Sequence, residues 1–102
     1  MQESIKPPPL RVLEFHVNAI SDSNNFSADG IRVELYDVQY NLIETSQVID
    51  NRVRFLLDPK YSNLQHVKVV CPLTADELKV DMNKPDIVFS IHEKHIAENE
   101  FP

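Results

Sequence analysis

Residues 30–58 constrain the fold of this chain more than any other stretch of the sequence. Two segments within it carry apolar side chains at every second position, namely Ile31, Val33 and Leu35 in the first and Val53, Phe55 and Leu57 in the second. Successive side chains of a β-strand point to opposite faces, so this period of two predicts strands with one buried face. We predict three antiparallel strands in one meander, with turns near residues 38–41 and 50–51, where asparagine and aspartate substitute for glycine.

The same alternation continues on both sides of the meander. It predicts further strands over residues 10–20, 64–71 and 86–92. Leu78, Val80 and Met82 also alternate and indicate another strand, although Thr74 and Glu77 have the spacing of a capping box, which starts helices. We prefer the strand, preceded by at most one helical turn.

A chain of 102 residues has room for one domain with one hydrophobic core. Six or seven short strands without a clear helix predict an all-β fold: a single antiparallel β-sandwich, Ig-like or of a related type, over residues 10–93. Residues 1–9 are predicted to be a flexible, proline-containing lead-in, because the first six residues are mostly polar and the three prolines that follow are extended and cannot donate to a ladder. Residues 94–102 are predicted to form a charged tail. The predicted core contains Phe15, Val33, Leu35, Phe55, Val69 and Phe89.

Charge and cysteine content disfavour several classes of function. Ten Lys and Arg against sixteen Asp and Glu give a net charge of −6, which argues against nucleic acid or an anionic membrane as a partner. No apolar run approaches the roughly 20 residues that span a bilayer, and the amino terminus lacks the pattern of a signal peptide. We expect a soluble chain, either intracellular or a luminal or extracellular part of a larger protein. The single cysteine, Cys71, is expected to be a small buried hydrophobe.

The sequence lacks the common motifs of catalytic and phosphate-binding sites. It contains no glycine-rich phosphate loop, no G-x-S-x-G and no H-E-x-x-H. The nearest candidate for a metal site is the pair His92 and His95, but at the end of a strand these side chains would point to opposite faces, and Lys94 adds a repelling charge. His16 and His66 fall on outward strand positions. We therefore assign no catalytic residue, no metal ligand and no cofactor, and we expect no enzymatic activity.

A polar loop over residues 21–29 supports an alternative function. Asp22, Asn24, Asn25 and Asp29 bring together oxygen-bearing side chains of the kind that calcium prefers. The alternative is therefore an ion- or ligand-binding sandwich, similar to a C2 module, that uses this loop. The turn-forming tendency of Asp and Asn explains the same composition without an ion. Asn25, Phe26 and Ser27 also form a sequon, which makes Asn25 the candidate acceptor of an N-linked glycan.

The order of these segments resembles the transthyretin-like, or prealbumin-like, modules, which include carboxypeptidase regulatory-like domains and the repeats of Nodal modulator proteins. The resemblance covers about residues 10–93. Its matching positions are residues 30–37, 43–45 and 50–57, Tyr61, residues 67–69, Pro72 and residues 87–89. The chain departs from the family pattern at Asn51 and at residues 62–63, where those modules usually carry glycine or Pro-Gly.

The resemblance implies a non-catalytic module that spaces, packs or binds within a larger chain. We therefore predict a structural or protein-interaction domain whose partner is another protein or a neighbouring domain. An antiparallel sheet can leave one face to solvent, and Tyr and Arg are enriched at protein interfaces. The predicted contact surface is the outward face of the meander, and its residues are Tyr36, Arg32, Arg54 and Leu56.

Overall fold

Seven strands form in the part of the chain that the computed structural model describes, residues 11–23, 25–61, 63–84 and 87–96. They are β1 (Arg11–Ile20), β2 (Arg32–Tyr36), β3 (Leu42–Gln47), β4 (Arg52–Leu57), β5 (His66–Cys71), β6 (Asp76–Asp81) and β7 (Val88–His92), with a short 3₁₀ helix at Pro59–Tyr61. The predicted lead-in, residues 1–9, and residues 97–102 of the predicted tail lie outside the described residues. Residues 94–96 are helical. The described residues form no helix that is long and apolar enough to cross a membrane.

The strands form two sheets that pack face to face, which confirms the predicted all-β sandwich. The first sheet has the strand order β4-β1-β7, and the second has the order β3-β2-β5-β6. The alternate apolar side chains of both sheets meet in a single core. All six core residues predicted from the sequence are buried there, namely Phe15, Val33, Leu35, Phe55, Val69 and Phe89. β6 is a strand, as predicted, and residues 72–75 before it form a turn rather than a helix.

The prediction of one continuous meander is wrong. β2 and β3 pair as an antiparallel hairpin, but β4 pairs with β1 in the other sheet. The chain crosses between the sheets over residues 48–51, where Val48 is buried and the carbonyl of Asn51 accepts a hydrogen bond from the Val17 amide at 2.8 Å. Alternation of apolar residues identifies which face of a strand is buried, and it carries no information about the sheet to which that strand belongs.

The expectation that every strand pair is antiparallel also needs correction. β7 runs parallel to β1, in a register that pairs His16 with Val88 and Ile20 with His92. Backbone hydrogen bonds continue this pairing at both ends, from the His16 amide to the Ile87 carbonyl and from the Glu93 amide to the Ile20 carbonyl. β7 is therefore an edge strand of the first sheet and lies next to β1. Its end lies at the edge of the sandwich next to β6.

The chain contains a single glycine, so other residues adopt the positive φ angles that several of its turns require. Gly30 has φ +88°, and the other described residues with positive φ are Tyr40, Asp50, Asn51 and Ala75. Asp50 and Asn51 form the predicted two-residue turn, in which Ile49 and Arg52 exchange two backbone hydrogen bonds. Tyr40 is unexpected in this list, since a bulky aromatic side chain with positive φ is uncommon.

We predict that Phe55→Ala lowers the free energy of unfolding by about 3–5 kcal/mol. Phe55 is fully buried in β4, with its ring centroid 5.9 Å from that of Phe15, so truncation leaves a cavity in the centre of the core. The matched control is Leu56→Ala on the next residue, which is 49% exposed and should cost less than about 1 kcal/mol. Urea denaturation of the two variants measures both values. A cost below about 1 kcal/mol for Phe55→Ala would contradict the assigned strand register.

Candidate functional site

The four residues predicted to bind a partner do not share a surface. Arg32 and Tyr36 lie on β2 in the second sheet, whereas Arg54 and Leu56 lie on β4 in the first sheet. All four alternate with buried residues, so each lies on the outer face of its own sheet. The outer faces of the two layers of a sandwich point away from each other. The prediction of a single contact surface is therefore wrong, because it depended on the continuous meander.

The outer face of the second sheet carries a connected group of aromatic and charged side chains. We call this group the tyrosine face; its members are Arg32, Glu34, Tyr36, Tyr40, Lys68 and Glu77. The rings of Tyr36 and Tyr40 lie 6.3 Å apart, and the ammonium of Lys68 lies 3.8 Å from the centroid of the Tyr40 ring. The Tyr40 hydroxyl donates a hydrogen bond to Glu77 at 3.1 Å. Tyr40 thus links the β2–β3 turn to β5 and β6.

Glu34 holds the other half of the tyrosine face. One of its carboxylate oxygens accepts a hydrogen bond from the Tyr36 hydroxyl at 3.0 Å, and the other accepts one from the Arg32 guanidinium at 2.8 Å. The hydrogen bond to Glu34 raises the pKa of Tyr36, burial and the charge of Glu34 raise it further, and the charge of Arg32 opposes these effects. Tyr36 is therefore a neutral hydrogen-bond donor at physiological pH, and its hydroxyl has a defined orientation.

The turn that presents Tyr40 is held by Asp37. The Asp37 carboxylate accepts hydrogen bonds from the amides of Gln39 and Asn41, both at 2.9 Å, and from the Asn41 side chain at 3.0 Å. The bonds from the backbone and the side chain of Asn41 lower the pKa of Asp37. Tyr40 adopts φ 62° inside this turn and remains 54% exposed. For a residue with a Cβ atom this conformation costs roughly 1–2 kcal/mol, which the capped turn must offset.

Tyr40 is not among the binding residues predicted from the sequence, which predicts residues 38–41 only as a turn. The available signal was an aromatic residue at a position where turns with positive φ usually carry Gly or Asn. Val38 and Leu42, which flank Tyr40, are both exposed aliphatic residues. Leu42 pairs with Tyr36 across the hairpin, so its side chain lies on the same outer face of the second sheet as the Tyr36 ring.

A second group of side chains lies at the edge of the sandwich where β6 meets the end of β7. The Nδ1 atoms of His92 and His95 lie 3.0 Å and 2.8 Å from the same carboxylate oxygen, Oδ1 of Asp76. The two imidazole centroids are 4.7 Å apart. The prediction that these histidines point to opposite faces is wrong. The strand ends at His92 and the chain becomes helical at residues 94–96, so positions i and i+3 face the same side.

Asp76 connects the two sheets at this edge. Its Oδ2 accepts a hydrogen bond from the His92 amide at 2.8 Å, and the hydroxyl oxygen of the buried Thr74 accepts one from the Asp76 amide at 3.3 Å. Burial by itself raises the pKa of Asp76. Hydrogen bonds with the His92 backbone amide, with the Thr74 side chain and with the imidazoles of His92 and His95 outweigh the effect of burial. The pKa of Asp76 is therefore lowered overall.

The polar loop over residues 21–29 does not gather its acidic side chains into such a group. Among the described residues, Asp76, His92 and His95 form a group of three potential metal ligands, and neither Asp22 nor Asp29 belongs to it. Asp29 instead accepts a hydrogen bond from the Asn51 amide at 3.1 Å, which ties the loop to the sheet crossing. Asn24, a ligand proposed from the sequence, lies outside the described residues.

Five further residues singled out in the sequence lie in the described part of the chain, and Cys71, His16 and His66 among them lie as predicted. Asn25 is exposed, as a glycan acceptor must be, and its modification stays a prediction. Phe26 packs partly against the core. Cys71 is fully buried, and His16 and His66 are exposed on their strands.

Comparison with protein-family models, with curated proteins and with solved structures finds no match for this chain. The functional inference below consequently depends on the geometry of the described residues.

We predict that Asp76→Asn flattens the acid side of the stability profile, measured with a chelator present. A carboxyl with a lowered pKa in the folded state contributes stability above its unfolded pKa, about 3.9, and loses that contribution as pH falls through the folded pKa. The wild-type free energy of unfolding should therefore fall more steeply below about pH 4 than that of the variant. Urea denaturation between pH 7 and pH 3 measures both curves, with Asp81→Asn on the same strand as the control. Parallel curves for wild type and Asp76→Asn would show that the carboxylate does not stabilise the fold.

Proposed function

We propose that this chain is a non-catalytic β-sandwich module that binds a protein partner through the tyrosine face. The observation that carries the proposal is Tyr40, whose bulky side chain occupies an unfavourable positive-φ conformation and remains exposed beside Tyr36 and Lys68. Local strain of this kind persists where the surrounding structure maintains it, and it often coincides with function. An Asn or Gly at this position would form the same turn without the strain.

The composition of the tyrosine face supports a protein partner. Tyr and Arg are enriched among the residues that dominate binding energy, because each offers a large contact area together with hydrogen-bonding groups. Val38 and Leu42, each two residues from Tyr40 in the chain, are exposed apolar residues. Tyr36 and Arg32 are held by Glu34, and Tyr40 is held by Glu77, so little side-chain freedom remains to be lost on binding.

The outer face of the first sheet is a weaker candidate. Val12 and Leu56 are directly opposite each other on β1 and β4 and are both exposed. Exposed aliphatic residues in small numbers are normal on protein surfaces, and this pair lacks an accompanying aromatic ring. We therefore retain Arg32 and Tyr36 from the sequence prediction and replace Arg54 and Leu56 with Tyr40 and Lys68.

We further propose that the module belongs to the transthyretin-like group and acts within a larger assembly of domains. The two-sheet strand order and the parallel pairing of β1 with β7 are compatible with a prealbumin-like sandwich. In such an assembly the tyrosine face would contact a neighbouring domain or a separate chain.

We predict that Tyr40→Gly weakens binding to the protein partner by at least about 2 kcal/mol, roughly 30-fold in Kd. The variant removes the ring and relieves the positive φ, so the free energy of unfolding should not fall. Tyr36→Ala should weaken binding in the same direction. A partner identified by affinity capture with the wild-type chain would be purified and titrated against each variant by calorimetry.

The matched control is the double variant Arg54→Ala and Leu56→Ala on the opposite face of the sandwich. It should bind the purified partner as the wild type does. If the control loses binding while Tyr40→Gly retains it, the contact surface lies on the first sheet and the proposal is wrong.

A further inference from the structure

We propose that Asp76, His92 and His95 form a binding site for a divalent transition-metal ion of the zinc type. The site lies at the edge of the sandwich between β6 and the end of β7. It shares no residue with the tyrosine face, so the two proposals can fail independently.

The distances between the ligand atoms fit a single metal ion. A tetrahedral ion bound at about 2.0–2.2 Å by N and O ligands separates adjacent ligand atoms by roughly 3.3 Å. Here the Nδ1 atoms of His92 and His95 lie 3.0 Å and 2.8 Å from Oδ1 of Asp76, and all three ligand atoms lie within 4.8 Å of one another. The two distances from Nδ1 to Oδ1 therefore need to lengthen by only a few tenths of an ångström, and rotation of the imidazole side chains would adjust the separation of the two Nδ1 atoms. No change of backbone path is needed to bring the three residues together.

The ligand set indicates the class of ion. Imidazole nitrogen suits zinc, copper, nickel and iron, whereas calcium and magnesium prefer oxygen ligands alone. One carboxylate and two neutral imidazoles leave a bound divalent ion with a net charge of +1, and the chain as a whole carries −6, which favours a cation. The side chains of His92 and His95 retain 28% and 29% of their exposure. Solvent can therefore reach the site and supply the remaining ligands.

The ligands are held in place by neighbouring groups, as metal ligands commonly are. The His92 amide holds Oδ2 of Asp76, which leaves Oδ1 directed at the imidazoles. The Glu93 amide donates to the carbonyl of Ile20, and the Ile96 amide donates to the carbonyl of Glu93. These bonds fix the start of the helical turn that brings His95 back towards Asp76. Lys94, which the sequence suggested would repel an ion, is exposed.

Binding of the ion requires a change of proton position in both imidazoles. Without the ion, a proton on Nδ1 of each ring donates to Oδ1 of Asp76. With the ion, Nδ1 of each neutral ring presents its lone pair and the proton resides on Nε2, so no net proton is released. The ion then replaces two hydrogen bonds with three coordinate bonds. It would link β6 of the second sheet to β7 of the first and to residues 94–96.

The test is a calorimetric titration of the untagged full chain with Zn²⁺ at pH 7. The wild type should bind one equivalent, and His95→Ala should lose affinity by at least about 10-fold. His16→Ala is the matched control, because His16 is exposed on β1 and belongs to no group of three ligands among the described residues. It should bind as the wild type does. Absence of wild-type binding up to about 1 mM Zn²⁺ would overturn the proposal.

A second measurement identifies the ligand atoms and does not depend on a variant that folds poorly. Long-range ¹⁵N–¹H spectra of the imidazole rings should show His92 and His95 moving to the Nε2-protonated form on addition of Zn²⁺, while His16 and His66 stay unchanged. The midpoint of thermal unfolding should rise on the order of 10 °C when free Zn²⁺ exceeds Kd about 100-fold. Shifts at His16 or His66 with none at His92 and His95 would show that the ion binds elsewhere and would refute the site.

Discussion

The crossing of the chain from the second sheet to the first over residues 48–51 is the constraint on which the rest of the structure depends. It brings β4 beside β1 and completes the layer that buries the apolar side of the hairpin β2–β3. Asp29 and Val17 both bind the backbone of Asn51, so the crossing is tied to the preceding loop and to the first strand. Without it, one sheet would leave its apolar face in water, which a domain of this size could not sustain.

The scarcity of glycine influences where this chain carries strain. Turns that need positive φ occur at five described residues, and one of these is a glycine. Asp50 and Asn51 adopt this conformation at small cost, since their short polar side chains tolerate it. Tyr40 adopts the same conformation at a larger cost, and the hydrogen bonds that the Asp37 carboxylate accepts stabilise its turn. The same turn places the Tyr40 ring against the ammonium of Lys68. The segment that carries the backbone strain therefore also contributes the exposed ring of the tyrosine face.

The edge between β6 and β7 shows how a sandwich can close with polar groups. Apolar contacts join the two layers in the interior, whereas at this edge one carboxylate binds the amide of His92 and faces two imidazoles. Asp76 can join the two sheets because its side chain lies on the inward side of the edge strand β6 and is only 9% exposed to solvent. Hydrogen bonds at such a position are weakened less by water than those of an exposed ion pair.

Local pattern determined the strands of this protein, and tertiary structure determined which strands meet. The alternation of Val53, Phe55 and Leu57 was sufficient to predict a buried face, and every predicted core residue is buried, because burial follows from side-chain period alone. The sheet to which β4 belongs and the parallel direction of β7 were not predictable, since both depend on pairings distant in sequence. The same limit applies to the sites. Tyr36 was recognisable from its strand, but the convergence of Asp76 with His92 and His95 required the fold to bring together residues 16 and 19 positions apart.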